Sequence, residues 1–174
     1  DDRMRLYELH STDFPLLQTA LETRRETAVM NSDGFAGLKA ELPPPSRRGV
    51  VLIDPSYEIK TDYTKVVAAV RDGLERFADA VILVWYPQLQ RLEPKEMTDR
   101  LKAAADAQAK RGWVHVRMSV AEPDQSGFGM LGSGMLVINP PFVLHSMLQE
   151  VMPVLTETLG QYAGASFLLE KRTR

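Results

Sequence analysis

Two hydrophobic periods alternate along the chain. Short unbroken apolar runs closed by turn residues read as strands, and apolar positions three and four residues apart between them read as amphipathic helices. Arg5 to His10 is a short strand candidate, followed by Ser11, Thr12 and Asp13 as helix caps and by a helical stripe of Phe14, Leu16, Leu17 and Leu21. Thr27 to Met30 is a second strand that runs into the polar turn Asn31 to Gly34. Phe35 to Leu42 returns to helical spacing until Pro43, Pro44 and Pro45 stop it. Val50 to Ile53, led in by Gly49 and closed by Asp54 and Pro55, is a continuous apolar run of the kind buried on both faces of a parallel sheet.

Beyond it, Thr61 and Asp62 cap a helix whose apolar positions are Val66, Val67, Val70, Leu74 and Phe77. Ala80 to Tyr86 is the next strand, and Pro94 opens a helix that runs to about Lys110. Trp113 to Val120 reads as a strand. Gly127, Gly129, Gly132 and Gly134 read as a loose linker, and Gly134 to Ile138 as a strand that ends in Asn139-Pro140-Pro141-Phe142. A helix from Val143 to about Leu159 and a strand near Ser166 to Leu169 complete the series. Strand and helix in repeated alternation predict an α/β fold with right-handed crossovers and a mostly parallel sheet, with an antiparallel edge from the last strands. Nothing divides residues 1–174, so one domain is expected.

Composition narrows the chemistry. The chain has 44% hydrophobic and 25% charged residues and a formal net charge of -2, which predicts no bulk attraction to nucleic acid but leaves room for a local basic face. With no cysteine, thiolate metal sites, disulfides and a cysteine nucleophile are excluded. His10, His115 and His145 fall in different elements without ligand spacing, so no metal is expected. No apolar run reaches the roughly 20 residues of a membrane span, and no signal peptide pattern is present, so a cytoplasmic protein is expected.

The candidate chemistry follows the strands. Glu8, Asp33 and Asp54 sit at or after the first three strands, and a doubly wound sheet binds its ligands at the carboxyl ends of its strands. A carboxylate there accepts from both hydroxyls of a ribose, a role for Glu8, with Asp33 and Gly34 near an adenine ring. Solvated turn residues are the other reading of Glu8 and Asp33, and spacing does not separate the two.

Asp54-Pro55-Ser56-Tyr57 is more specific. Asp or Asn, Pro, Pro, then Tyr or Phe is the signature of methyltransferases acting on an exocyclic amino group of a base. The lone pair of that nitrogen is delocalised into the ring. A carboxylate accepting one amino hydrogen and a backbone carbonyl accepting the other favour a nitrogen whose lone pair points at the methyl donor. Asp54 and the Pro55 carbonyl have these roles, Asp54 takes the released proton, and Tyr57 stacks on the extruded base. Ser56 replaces the second proline and removes one constraint. Asn139-Pro140-Pro141-Phe142 matches the signature too, but it follows a late strand and is read as a strand-to-helix turn. Arg47, Arg48, Lys60 and Lys65 flank the central strand, where phosphate contacts and solvated charge are both open readings. Trp85-Tyr86-Pro87 could line a base pocket or simply pack.

Taken together, the run from Tyr7 to Leu17, the Asp33-Gly34 pair, Leu42 to Gly49, Leu52 to Glu58, Trp85 to Pro87 and Gly134 to Pro141 resemble the RlmJ family over essentially the whole chain. These are bacterial 23S ribosomal RNA adenine-N6 methyltransferases. The resemblance implies a class I, Rossmann-like methyltransferase fold. It also implies S-adenosyl-L-methionine as cofactor, contacted by Glu8, Asp33, Gly34 and Asp54, and 23S ribosomal RNA as partner before ribosome assembly. An older family label concerns use of external DNA as a nutrient. The family's histidine-rich start, glycine-rich cofactor loop and helical insertion do not occur in these residues. A natural protein of roughly 280 residues is therefore expected, the piece alone being inactive. A DNA adenine-N6 methyltransferase and a non-catalytic nucleic-acid-binding protein are the alternatives.

Overall fold

A computed structural model describes residues 2–124, 127 and 129–174. Its contacts divide into two units, Asp1–Leu42 and Pro43–Arg174.

In the first unit β1 (Met4–Tyr7) pairs in parallel with β2 (Thr27–Met30), from Met4 opposite Thr27 to Tyr7 opposite Met30. Helix α1 (Asp13–Leu21) connects them, and α2 (Gly34–Glu41) follows β2. The Tyr7 ring lies against Gly37 of α2, where any Cβ would collide with it, and the Tyr7 hydroxyl donates to Glu41 Oε1 at 3.3 Å. Burial first, then the Glu41 charge, raises the Tyr7 phenol above its ordinary value. Of the caps expected at the start of α1, Thr12 is the N-cap residue, but it is itself helical and makes no side-chain capping bond.

The second unit contains one five-stranded sheet in the order β3-β4-β6-β5-β7. Its strands are β3 (Val50–Ile53), β4 (Val81–Leu89), β5 (Trp113–Ser119), β6 (Met130–Ile138) and β7 (Ser166–Arg172). The helices are α3 (Thr61–Arg76), α4 (Glu93–Gln108) and α5 (Leu144–Leu159). Only β3 and β4 run parallel; the pairs β4–β6, β5–β6 and β5–β7 are antiparallel. The antiparallel part is thus larger than the edge expected, because β6 returns between β4 and β5 and β7 adds to the far side of β5.

Strand β6 also begins earlier than its glycines suggest. Gly132, expected in a linker, is a ladder residue opposite Gln88 of β4, and Gly134, expected where the linker passes into the strand, pairs with Tyr86. The rest of that expected linker includes residues 125, 126 and 128, which lie outside the described residues.

Register defines the two faces of this sheet. One row crosses it through Ile53, Val84, Leu136, His115 and Glu170. Lys102 of α4 bonds Glu170 at 2.6 Å, so this face meets α4. Ile82, Val84, Leu136 and Ile138 pack with Val66, Val70 and Leu74 of α3 and Met97 and Leu101 of α4 to form the fully buried core. Helix α5 packs on β5 and β7.

Strand β3 departs from the expectation of burial on both faces. Ile53 is 8% exposed, but Val50 and Leu52 are 73% and 62% exposed. Strand β3 is the edge of its sheet, and Val50 and Leu52 lie on the side opposite Ile53.

Candidate active site

Strand β3 delivers Asp54 to its carboxyl end. The side chain stays open to solvent, yet burial by the surrounding loop raises its carboxyl above the ordinary aspartate value, with no charged neighbour contributing. Pro55 is half-buried, Ser56 is exposed, and Tyr57 turns back inward. Its backbone is left-handed, with φ of 56°, an uncommon state for an aromatic residue. The phenol is 5% exposed, and its hydroxyl donates to the Trp85 carbonyl at 2.7 Å. Its ring centroid lies 4.8 Å from that of Tyr63 on the first turn of α3 and 6.3 Å from Trp85. Burial, with smaller contributions from Tyr63 and Asp54, pushes the Tyr57 phenol far above its ordinary value. The ring expected to stack on a base is therefore already packed between neighbours.

Two of the four basic residues flanking β3 are occupied. Lys60 bridges to Glu93 at 2.6 Å and Lys65 to Asp62 at 3.4 Å. Arg47 and Arg48 are exposed.

Glu8, Asp33 and Gly34 belong to the first unit, where they follow the adjacent parallel strands β1 and β2. Glu8 N donates to the Met30 carbonyl at 3.0 Å, and Glu8 Oε1 accepts from His10 N at 2.7 Å. Asp33 Oδ1 accepts from Phe35 N at 2.9 Å as the N-cap of α2. Each bond engages one oxygen of a carboxylate that accepts through two. Gly34 lies beside Tyr7, whose Cβ would be 3.3 Å from any Cβ added there. The structure thus groups Glu8, Asp33 and Gly34 in one unit and Asp54, Pro55 and Tyr57 in the other.

Asn139 is no second base clamp. It is fully buried, and both ends of its amide are used internally: Oδ1 accepts from Lys110 N and Arg111 N at 2.9 Å each, and Nδ2 donates to the Ala78 and Ala80 carbonyls at 2.8 Å each. Phe142, at the aromatic position of the same motif, is fully exposed.

A buried polar chain beside the site was not foreseen. Tyr86 Oη lies 2.7 Å from His115 Nε2, and His115 Nδ1 lies 3.1 Å from Glu170 Oε2, which Lys102 also bonds. Lys102 and His115 hold the Glu170 carboxyl below its ordinary range. An ionised Glu170 accepts a hydrogen bond from Nδ1–H, which leaves Nε2 to accept from the tyrosine hydroxyl. Burial pushes the Tyr86 phenol up to about 12 and the imidazole down. The signal in the sequence was a lone histidine between Val114 and Val116 of an apolar strand.

Among the described residues no helix is long and apolar enough to cross a membrane, and no group of three acidic or histidine side chains could hold a metal ion.

The family model described as Ribosomal RNA large subunit methyltransferase D, RlmJ, matches residues 1–169. The chain belongs to this family. Two curated RlmJ relatives, each named Ribosomal RNA large subunit methyltransferase J, support the assignment. The Haemophilus influenzae protein is 40% identical over 169 residues, which are 97% of this chain and 58% of that protein. The Escherichia coli K12 protein is 42% identical over 158 residues, 91% of this chain and 55% of that protein. The chain therefore spans little more than half the length of these curated relatives. Among solved structures, protein LPL1258 from Legionella pneumophila aligns with a TM-score of 0.86 at 29% identity, covering 98% of this chain and 61% of that one. The mixed α/β architecture agrees with an S-adenosylmethionine-dependent methyltransferase fold.

Proposed function

We propose that this RlmJ chain is the target-base part of an enzyme that methylates the N6 amino group of an adenosine in 23S ribosomal RNA. The reaction would take place in the cytoplasm, before ribosome assembly, and both units would belong to one methyltransferase domain. The observation that carries the reading is the Asp54-Pro55 turn at the carboxyl end of β3, with a carboxylate open to solvent that forms no ion pair among the described residues. The relatives' names as ribosomal RNA large subunit methyltransferases support the substrate class.

The Asp54 carboxylate accepts one amino hydrogen of the adenine and the Pro55 carbonyl accepts the other, so the nitrogen lone pair is drawn out of conjugation with the ring and points at the methyl donor. Its raised pKa makes Asp54 a better acceptor for the proton released on transfer than an ordinary aspartate. S-adenosyl-L-methionine would supply an electrophilic methyl group. Glu8 would bind its ribose hydroxyls through the oxygen not bonded to His10 N, and Asp33 and Gly34 would border its adenine.

The test is transfer of labelled methyl groups by the full gene product to protein-free 23S ribosomal RNA, with duplex DNA alongside. Asp54→Ala should lower the rate at least about 100-fold, the effect of losing one transition-state hydrogen-bonding group, without changing the far-ultraviolet circular dichroism. Retained activity would remove Asp54 from this role, and transfer to DNA alone would move the substrate class.

A further inference from the structure

We propose that Tyr57 is a positioning residue that clasps the Asp54–Pro55 turn to β4, and is not the platform on which the target base stacks. What the turn does rests on the methyltransferase reading; how it is held rests on geometry alone.

Three observations converge on the clasp. Pairing of β3 with β4 ends at Ile53 opposite Val84, and Trp85 is the next residue of β4. The Tyr57 hydroxyl bonds the carbonyl of that residue at 2.7 Å, so a side chain takes over where the ladder stops. Asp54 and Pro55 lie between the last ladder pair and this bond, which ties the turn to the sheet at both ends.

The aromatic contacts agree. The ring is 5% exposed, tilted 39° against Tyr63 at 4.8 Å, and flanked by Trp85. A stacked base needs an open ring face. Freeing this one would break the hydroxyl bond and part the Tyr57–Tyr63 pair.

The backbone gives a third reason. Tyr57 occupies left-handed φ, which a bulky residue holds only where surrounding contacts over-determine it. The packed ring and the hydroxyl bond are those contacts. With Ser56 where the signature has a second proline, the turn has lost one covalent restraint, and the clasp supplies a noncovalent one.

The deciding variant is Tyr57→Phe, which keeps the ring and removes only the hydroxyl. A positioning role predicts that kcat falls about tenfold, the rate equivalent of about 1.4 kcal/mol, while KM for RNA stays within about twofold. Amide hydrogen exchange over residues 54–58, measured without RNA, should quicken in the same variant. A stacking role predicts that Tyr57→Phe keeps full kcat and unchanged exchange, because phenylalanine stacks as well, and that Tyr57→Leu raises KM for RNA. That pattern would overturn the proposal. If exchange quickens but the wild type methylates no nucleic acid, the clasp stands and the methyltransferase reading fails, so the two are separable.

Discussion

Asn139→Ala should be the most destabilising single polar change in the second unit. The side chain has no solvent exposure and makes four hydrogen bonds, two accepted and two donated, which is the full capacity of the planar amide at close range. At about 1 kcal/mol net for each bond, their loss would total about 4 kcal/mol. The Ala80 carbonyl bond is wholly buried, whereas the other three are part-buried, so water can repair some of the deficit. Against that relief, φ of 54° suits asparagine and costs alanine about 1 kcal/mol more.

The balance is about 3–4 kcal/mol, a large share of the roughly 5–15 kcal/mol that holds a domain together. Urea unfolding followed by circular dichroism at neutral pH measures it, with the slope checked for constancy between variants. Asn139→Asp keeps the two accepted bonds but turns a buried oxygen toward two carbonyls, so it should be no better than alanine. Asn139→Gly should lie closer to wild type than alanine if the left-handed backbone contributes. A loss under about 1 kcal/mol in the alanine variant would refute the reasoning, because four bonds of this geometry could not then be contributing.

Four other outcomes are expected. Burial raises the Asp54 pKa, so the acid limb of methyl transfer in a pH–rate profile should lie at a higher pH than an ordinary aspartate would give. The same shift penalises the ionised form in the fold: its stability contribution is present below the unfolded pKa and lost as pH rises through the folded one, so Asp54→Asn should unfold at the same or a slightly higher urea concentration at neutral pH. Gly134→Ala should cost about 2–4 kcal/mol in urea unfolding, because its Cβ would collide with the Tyr86 ring and displace the hydroxyl from His115. Burial lowers the His115 pKa, so its contribution to stability is present above the unfolded histidine value of about 6.5 and lost as pH falls through the folded one, with Glu170 adding a further loss at lower pH; urea midpoints from pH 7.5 downward should decline, and less steeply in His115→Gln.

Much of the fold could be read from hydrophobic spacing, and the failures have physical causes. Helix α3 occupies Thr61–Arg76, close to the stretch its apolar stripe outlines, because Val66, Val67, Val70 and Leu74 all reach the core. Strand β3 was equally clear as a strand, but its neighbours were not: an unbroken Val-Val-Leu-Ile run signals burial on both faces, and in this unit only the Ile53 side is covered. Gly132 looked like linker, and Gly134 like the point where the strand starts, because glycine weakens a strand. In β6 they are required by crowding, since a Cβ at Gly134 would strike Tyr86 and one at Gly132 would strike the Met118 backbone. Tertiary packing of that kind leaves no local period to detect. The polar chain from Tyr86 to Lys102 was hidden for the same reason, since its members come from β4, β5, β7 and α4 and meet only across the sheet.

The two copies of the amino-methyltransferase signature show why such a motif needs its surroundings. Asn139-Pro140-Pro141-Phe142 is the better textual match, yet its amide is consumed by four internal bonds and its phenylalanine points into solvent. Asp54-Pro55-Ser56-Tyr57 is the poorer match, yet its acid group stays open while its aromatic is tied down. A base clamp needs acceptors that are fixed in place and still unsatisfied, because preorganised groups stabilise a transition state only if nothing else occupies them. The first tetrapeptide is fixed and satisfied, so it staples the segment after α4 to the α3–β4 loop. The second leaves its carboxylate unsatisfied and fixes it from a distance, through the tyrosine hydroxyl on β4. The difference lies in where each residue's hydrogen bonds go, which four letters do not record.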